Sequence, residues 1–458
     1  MLPAIMAGLT SAFTLLSCGG ESASDENYPL VEIPSSLSEA VKRYDEVREF
    51  HNGIAIVRQS GRYGFIDSLG NEIVPCDYIG LSYNEPGFYT TYVSNHWHLS
   101  EQGLIGPDGK RLTQDKFQKI EYMPDLHILC CYDGFPRQFF NLDGEEVNPG
   151  LYDKAAIQKA EAYGELSGFT PFYEGIAMVK YYDRPSKSYY HKMIDKEGNI
   201  VMSITENNGK FGVVDVDGNE VVPHRYQSID DYDSGYLLVS DGVHRQGLWD
   251  LQAGKETVSP IYNVYGNFGK EYDLVHTFLK NGLLVARHTD GVQSLVNPSD
   301  GKVLIGEEAE AAAFELLPNG FIRAAYNNGG LFKYAIYDIE GNELIGKYDY
   351  IYEGPQGFVV RKYEERNGER LIKEGVFNLK GKKIVDVDNY SCGKPSEGLV
   401  PVKHEQSGKY GYVNMKGKYV IEPKYDRAGY FSEGLAPVEI DGHWGYVNRA
   451  GADTFNNN

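Results

Sequence analysis

The chain runs to 458 residues and carries 65 Asp and Glu against 44 Lys and Arg, a formal charge of −21. That balance repels nucleic-acid phosphates and anionic lipid headgroups, which argues against a DNA- or RNA-binding role. Thirty-six Tyr and 52 Gly beside only three Trp suit half-buried pleated surfaces joined by tight turns. The phrase Tyr44-Asp-Glu-Val-Arg-Glu-Phe-His-Asn-Gly-Ile-Ala-Ile-Val57 returns as Tyr425-Asp-Arg-Ala-Gly-Tyr-Phe-Ser-Glu-Gly-Leu-Ala-Pro-Val438. Such self-similarity marks an array of units, each too small to bury its own apolar face, so the length measures the number of units.

Taken in chain order, residues 2–16 form an uncharged, small and apolar run that ends in Leu15-Leu16-Ser17-Cys18-Gly19-Gly20. The run is too short to span a membrane as a helix. It resembles a bacterial lipoprotein signal, although no Lys or Arg precedes the apolar stretch. The resemblance implies a signal peptide at 1–17, lipid attachment at Cys18, and a flexible tether over 18–34. It also implies an exported protein of the cell envelope, in the outer membrane or periplasm, that touches the membrane through the Cys18 lipid only.

The array then occupies 35–455, with a frayed tail expected at 456–458. Its clearest marker is a turn glycine after a short strand, at Gly70, Gly109, Gly144, Gly198, Gly218, Gly254, Gly301, Gly341, Gly381, Gly417 and Gly451. That spacing predicts about eleven units, with two-residue hairpin turns whose positive φ falls on the glycine. Six residues earlier, a second glycine sits inside a strand in six units, at Gly64, Gly103, Gly212, Gly375, Gly411 and Gly445. Glycine weakens a strand unless something must approach closely, so these positions read as seats for an aromatic ring of the adjoining strand or unit. Ten units place Asp or Asn three or four residues before the turn glycine, among them Asp67, Asp215 and Asn448. The free exchange of Asp for Asn points to turn caps and away from catalytic acids.

After the turn comes an apolar strand with a proline, as in Ile73-Val74-Pro75 and Val221-Val222-Pro223. Proline cannot donate to a ladder and is expected to end the strand at an edge. A Tyr then precedes a Gly by nine residues in five units, from Tyr44 to Gly53 through Tyr425 to Gly434. Each unit therefore reads as three short strands and one connector. Two Ala- and Glu-rich stretches, 151–166 and 307–317, carry helical spacing and predict helical insertions.

These residues carry a family resemblance. Aromatic-Gly-aromatic hairpins such as Arg62-Tyr-Gly-Phe-Ile-Asp67 and His443-Trp-Gly-Tyr-Val-Asn448, with Phe431-Ser-Glu-Gly-Leu-Ala-Pro-Val438, resemble the bacterial WG repeat, also called the KWG repeat. The likeness implies a scaffold or binding role without naming a ligand.

Few constellations suggest chemistry. His96-Trp97-His98 puts two imidazoles on one side of a strand, half of a metal site without a recognisable third ligand. Asp215-Val-Asp217-Gly resembles the start of a calcium loop, but its glycine stands in the wrong place and the hairpin turn explains it. The cysteines Cys76, Cys130, Cys131 and Cys392 show no zinc spacing. No phosphate-binding, dinucleotide or nucleophile-elbow motif appears. The tyrosines read as aromatics packed between stacked units, or as exposed rings on which sugars stack.

The expectation is an all-β tandem array of short antiparallel three-stranded units, arranged as a superhelical β-solenoid, with a closed β-propeller as the alternative. For the latter, Val31-Glu-Ile-Pro34 would supply the proline strand that the last unit lacks. In function the chain reads as a lipid-anchored, non-enzymatic envelope scaffold for a protein or polysaccharide partner, with no cofactor. The alternative is an envelope hydrolase or processing enzyme with its site in the degenerate repeats 81–208, around His96 and His98.

Overall fold

The computed structural model describes residues 28–84, 87–92, 101–106, 108–123, 128–132, 138–147, 154–170, 172–173, 175–242, 245–262, 279–280, 282–288, 291–317, 319–366, 369–389 and 391–455. Cys18, His96 and His98, the expected signal at 1–17 and the tail 456–458 lie outside them. Among the described residues the chain is all-β, a succession of ten small antiparallel sheets in which strands adjacent in sequence are adjacent in the sheet. These sheets are the units, numbered one to ten in chain order.

The first unit shows how the sequence builds each one. Its strands Glu46–His51, Ile54–Gln59, Arg62–Asp67 and Glu72–Tyr78 form a four-stranded meander. The expected connector is thus the first strand of the sheet, and it pairs with the second through a bulge between Val47 and Phe50. Asn52-Gly53 and Ser60-Gly61 close the first two hairpins with positive φ at both residues, the backbone that matches strand twist. The third hairpin departs from the two-residue expectation. Gly70 N–H donates to the Asp67 carbonyl at 3.0 Å and Asp67 N–H to the Asn71 carbonyl at 2.9 Å, a three-residue loop with Gly70 in the left-handed region. The Asp67 carboxylate accepts from the Leu69 and Asn71 amides at 2.9 and 2.8 Å. The same bonds recur at Asp215 and Asn414. These two bonds need one acceptor oxygen, which Asp and Asn both supply, and the second oxygen of Asp67 and of Asp215 takes a further bond from Asn71 and Asn219.

The in-strand glycines and several of the turn glycines are packing devices, and at Gly64 and Gly411 the partner differs from the expectation. Opposite Gly64 the ladder shifts register, so that Pro75, Cys76 and Asp77 lie between the pairs Phe65–Val74 and Tyr63–Tyr78. A Cβ on Gly64 would stand 2.8 Å from the Pro75 carbonyl oxygen, one on Gly212 2.6 Å from that of Val222, and one on Gly411 2.8 Å from Pro423 N. At Gly64 and Gly411 the in-strand glycine thus seats the bulged backbone of its own sheet. Gly212 does so with the His224 ring also 2.8 Å from its would-be Cβ, and Gly445 faces the Phe455 ring at 3.0 Å, as expected of a ring seat. Proline sits in the bulge, where no ladder donor is needed, and the strand continues beyond it to the tyrosine. Some turn glycines face the adjoining unit, whereas Gly218 and Gly254 have nothing within 4 Å of a would-be Cβ. A Cβ on Gly417 would lie 2.9 Å from the Ile384 carbonyl oxygen. Gly341 and Gly381 abut the carbonyls of Leu304 and Leu344 in the same way.

Apolar clusters straddle the junctions, as with Ile54, Ile56 and Phe65 of unit one against Leu81, Tyr89 and Ile105 of unit two. Unit four holds six strands, from Glu165–Phe169 to Glu220–Tyr226. Its strand Ile200–Asn207 follows one turn glycine, Gly198, and precedes the next, Gly218. This is why the two are closely spaced in sequence and share one sheet.

The two ends of the array meet. Tyr446 Oη donates to the Arg48 carbonyl at 2.7 Å, Gly53 N–H donates to Glu433 at 2.9 Å, and Ser432 Oγ donates to the Phe50 carbonyl. Phe50 and Tyr446 are both fully buried with ring centroids 4.8 Å apart. The helix Ser35–Val41 caps this junction with Leu37 and Val41. Val31-Glu-Ile-Pro34 docks there without forming a strand: Asn448 Nδ2 donates to the Val31 carbonyl at 3.0 Å. The last unit is closed by its own tail, where Thr454 N–H donates to the Tyr446 carbonyl at 3.0 Å and Asp453 bridges to Val447. Within 28–34, the described part of the expected tether, Arg449 stands over the Tyr28 ring at 4.5 Å.

The expected helical insertions shrink. The first is Lys154–Ala160 with a 3-10 turn at Glu161–Tyr163, followed at once by the strand Glu165–Phe169. In the second, only Glu307–Ala309 turns, and Ala313–Leu316 is a strand. Phe314 there packs against Ile322 and Leu295, so tertiary burial overrides the helix preference of Ala and Glu. Cys130 and Cys131 are buried on opposite faces of one strand, in different clusters. Cys76 and Cys392 remain thiols.

Candidate functional site

The first strand of a unit ends at the glycine that opens the second, and this stretch separates structure from function. Six residues before that glycine stand Val47, Leu81, Ile229, Ile351, Cys392 and Ala428, small or apolar throughout, and the first five are buried. Four residues before it stand Glu49, Tyr83, Asp231, Glu353, Lys394 and Tyr430. The backbone place is the same, but the chemistry changes from unit to unit. A position that builds the unit should keep its residue type, whereas one that meets a ligand need not.

Three of these residues converge where units one, two and ten meet. Glu49, Tyr83 and Tyr430 line a cavity of ≈ 200 Å³ together with Arg48, His51, Ile56, Ser82 and Tyr89. The His51 imidazole lies flat on the Tyr83 ring, centroids 3.6 Å apart at 5°. Its Nε2 is 3.3 Å from Tyr430 Oη, and its carbonyl accepts from Tyr89 Oη at 3.0 Å. Arg48 reaches Glu46 at 2.8 Å and lies 5.1 Å over the Tyr63 ring. Lys394, from the loop before unit nine, stands 5.8 Å over the Tyr430 ring. Gly429 leaves room for the Glu49 carboxylate, since a Cβ there would sit 2.6 Å from Glu49 Oε1.

Glu49 is half-buried and lines the cavity. Desolvation raises its pKa, against the backbone amides of Glu49 and Tyr430 and the charges of Arg48 and Lys394, which lower it. Desolvation also drives the His51 pKa down to about 4, with Lys394 adding to the effect, so the ring is neutral at pH 7. A second polar group, from units four and five, repeats the pattern. Burial lifts Asp231 to about 7 with help from Asp233 and Asp230, and lowers His191 to about 4. Among the described residues no cluster of three or more His, Cys, Asp or Glu could hold a metal.

A pH test follows for His51. Its folded pKa lies below the unfolded value of 6.5, so the unfolded chain binds the extra proton. The contribution is whole above that value and is lost as pH falls from 6.5 towards 4. Asp231 works in the opposite sense, favouring the fold at low pH and losing that contribution as pH rises from 3.8 towards 7. The variant must therefore be compared with wild type at each pH. Relative to wild type, His51→Gln should gain on the order of 1 kcal/mol between about pH 7 and pH 4.5, after screening by cavity water. Thermal unfolding midpoints of both proteins across that window measure it.

Of the residues singled out in the sequence, Gly64, Gly212, Gly411 and Gly445 sit in strands, and Gly70, Gly218, Gly417 and Gly451 in turns. None of them lines the cavity. Alignment on the glycine puts Glu49, Tyr83 and Tyr430 at one offset without marking them out, because the adjoining offsets vary too, from Arg48 to Ser82 to Gly429 and from Phe50 to Asn84 to Phe431.

Fold and repeat together define an all-β repeat protein. The WG containing repeat family matches the chain at four places, residues 41–63, 63–80, 211–242 and 410–444, so the chain carries WG repeats. No curated protein matches it. Among solved structures, a eukaryotic initiation factor is 9% identical over 83% of this chain and 88% of that chain, with a TM-score of 0.31. The computationally designed Ika8 protein is 11% identical over 61% and 94%, with a TM-score of 0.21. The tricorn protease is 12% identical over 88% and 47%, with a TM-score of 0.23. Scores this low carry no argument about shape or role.

Proposed function

We propose that the protein is a non-enzymatic binding scaffold of the bacterial cell envelope, anchored through a lipid on Cys18, which holds a polysaccharide or protein partner. The observation that carries the reading is a convergence: Glu49, Tyr83 and Tyr430, which hold one offset in three units, meet at one aromatic and polar cavity. Repeat arrays present a constant frame with interchangeable surface positions, the arrangement that suits binding. The WG repeats support a scaffold, and the sequence supplies no nucleophile or phosphate-binding motif. Among the described residues no helix is long and apolar enough to cross a membrane, so in this reading the lipid holds the protein at the membrane. Co-sedimentation of the region from Glu21 with purified envelope polysaccharide, and its capture of solubilised envelope proteins, test the reading. Retention no greater than that of an unrelated acidic protein in both assays would discard it.

A further inference from the structure

We propose that the cavity between units one, two and ten binds one neutral sugar ring of a polysaccharide; this deepens the scaffold reading and rests on it. Size is the first argument. A space of ≈ 200 Å³ equals the liquid volume of about half a dozen waters, which suits a single pyranose and excludes a folded peptide segment.

Charge is the second. Glu46 and Glu49 are offset by Arg48, which is paired with Glu46 at 2.8 Å, and by Lys394, whose charge acts on Glu49 and His51. His51 adds nothing at pH 7. The two charges that line the cavity, Arg48 and Glu49, sum to zero, and just outside it Glu46 is shared by Arg48 and Arg58 while Lys394 adds one positive charge. Neither a carboxylate or phosphate nor an ammonium group finds a matching excess among the lining charges, and the overall −21 further disfavours an anion. Arg48 and Lys394 both repel an ammonium.

The third argument is the wall chemistry. Tyr83, Tyr89 and Tyr430 offer ring faces and edges against which the C–H face of a sugar packs. The Glu49 carboxylate accepts, the Ser82 hydroxyl donates and accepts, and the Arg48 guanidinium donates, a mixture that matches hydroxyls, which do both. A purely apolar ligand would desolvate the hydrogen-bonding capacity that these groups keep beyond their protein partners. The units bring the groups together only because the ends of the array meet, since Tyr430 belongs to unit ten.

Saturation-transfer NMR on the region from Glu21 tests this, with glucose, galactose and N-acetylglucosamine as neutral probes and glucuronic acid and glucosamine as charged ones. Transfer to at least one neutral sugar is expected, with tenfold or weaker affinity in Tyr83→Leu. Ser82→Val, at a half-exposed position, gives a second variant, and cooperative unfolding near the wild-type midpoint certifies both folds. No transfer to any neutral sugar, tighter binding of a charged sugar, or unchanged binding in both variants would overturn the assignment. Co-sedimentation with envelope polysaccharide, run alongside, separates the two readings. Retention of polysaccharide without any free-sugar signal sinks the cavity and leaves the scaffold. Free-sugar binding lost in the variants, with neither polysaccharide nor envelope protein retained, keeps the cavity and sinks the scaffold.

Discussion

Phe50→Ala should destabilise the protein by about 3–5 kcal/mol, the loss expected when a large aromatic is removed from a site that cannot collapse. Phe50 is fully buried, 4.8 Å from Tyr446 across the junction between the first and last units. Its neighbours come from three separate segments: Leu37 and Val41 of the capping helix, Ala55 and Val57 of its own sheet, and Leu435 of the last unit. A cavity left there cannot be refilled by one strand shifting, because its walls belong to a helix and two different sheets. The Phe50 carbonyl also accepts from Ser432 Oγ, so backbone movement to fill the hole would sacrifice a bond between the ends. Urea unfolding followed by tryptophan and tyrosine fluorescence measures the effect. A loss below about 1 kcal/mol would show that the junction is not a tightly packed part of the fold.

Gly247→Ala should cost about 1–3 kcal/mol or more, through overpacking and not through conformational preference. Gly247 lies in the strand Arg245–Asp250 of unit five, opposite the bulge that carries Ser259, Pro260 and Ile261. A Cβ would meet the Val258 carbonyl oxygen and stand 2.6 Å from both Pro260 N and the Ser259 carbonyl carbon. All of these are backbone atoms, and the proline stiffens them, so the strand must separate from its neighbour to make room. Gly168→Ala supplies the contrast, since Gly168 also lies in a strand and nothing stands within 4 Å of its would-be Cβ. That change should be neutral or stabilising by up to about 1 kcal/mol, because alanine narrows the unfolded ensemble. Equal losses in the two variants would refute the seat.

The comparison between these glycines shows how far sequence alone reaches. The recurrence of Gly64, Gly212 and Gly411 at one offset marks a steric demand, but not its source. The partner is the bulged backbone of the next strand, and the signal for it was the proline that follows each of them, Pro75, Pro223 and Pro423. The turns were legible for a local reason: the Asp67, Asp215 and Asn414 side chains bond amides two and four residues away, within one stretch of chain. The stretch 307–317 misleads for the opposite reason. Its alanines and glutamates favour a helix when isolated, but Phe314 is buried between units six and seven, and that burial outweighs propensities of a few tenths of a kcal/mol per residue.

The candidate site divides along the same line. The offset held by Glu49, Tyr83 and Tyr430 is visible in the sequence once the first strands are aligned on their closing glycines. That Glu49 and Tyr430 face one cavity is not visible, because they stand at opposite ends of the array. By itself the sequence determined the repeating unit, with its hairpins, caps and all-β character, since these follow from side chains acting on their own neighbouring backbone. The tertiary structure alone decided that the first and last units pack on each other, and so which variable residues share a cavity. Contacts between distant units depend on the summed small rotations from one sheet to the next, a quantity no local pattern records.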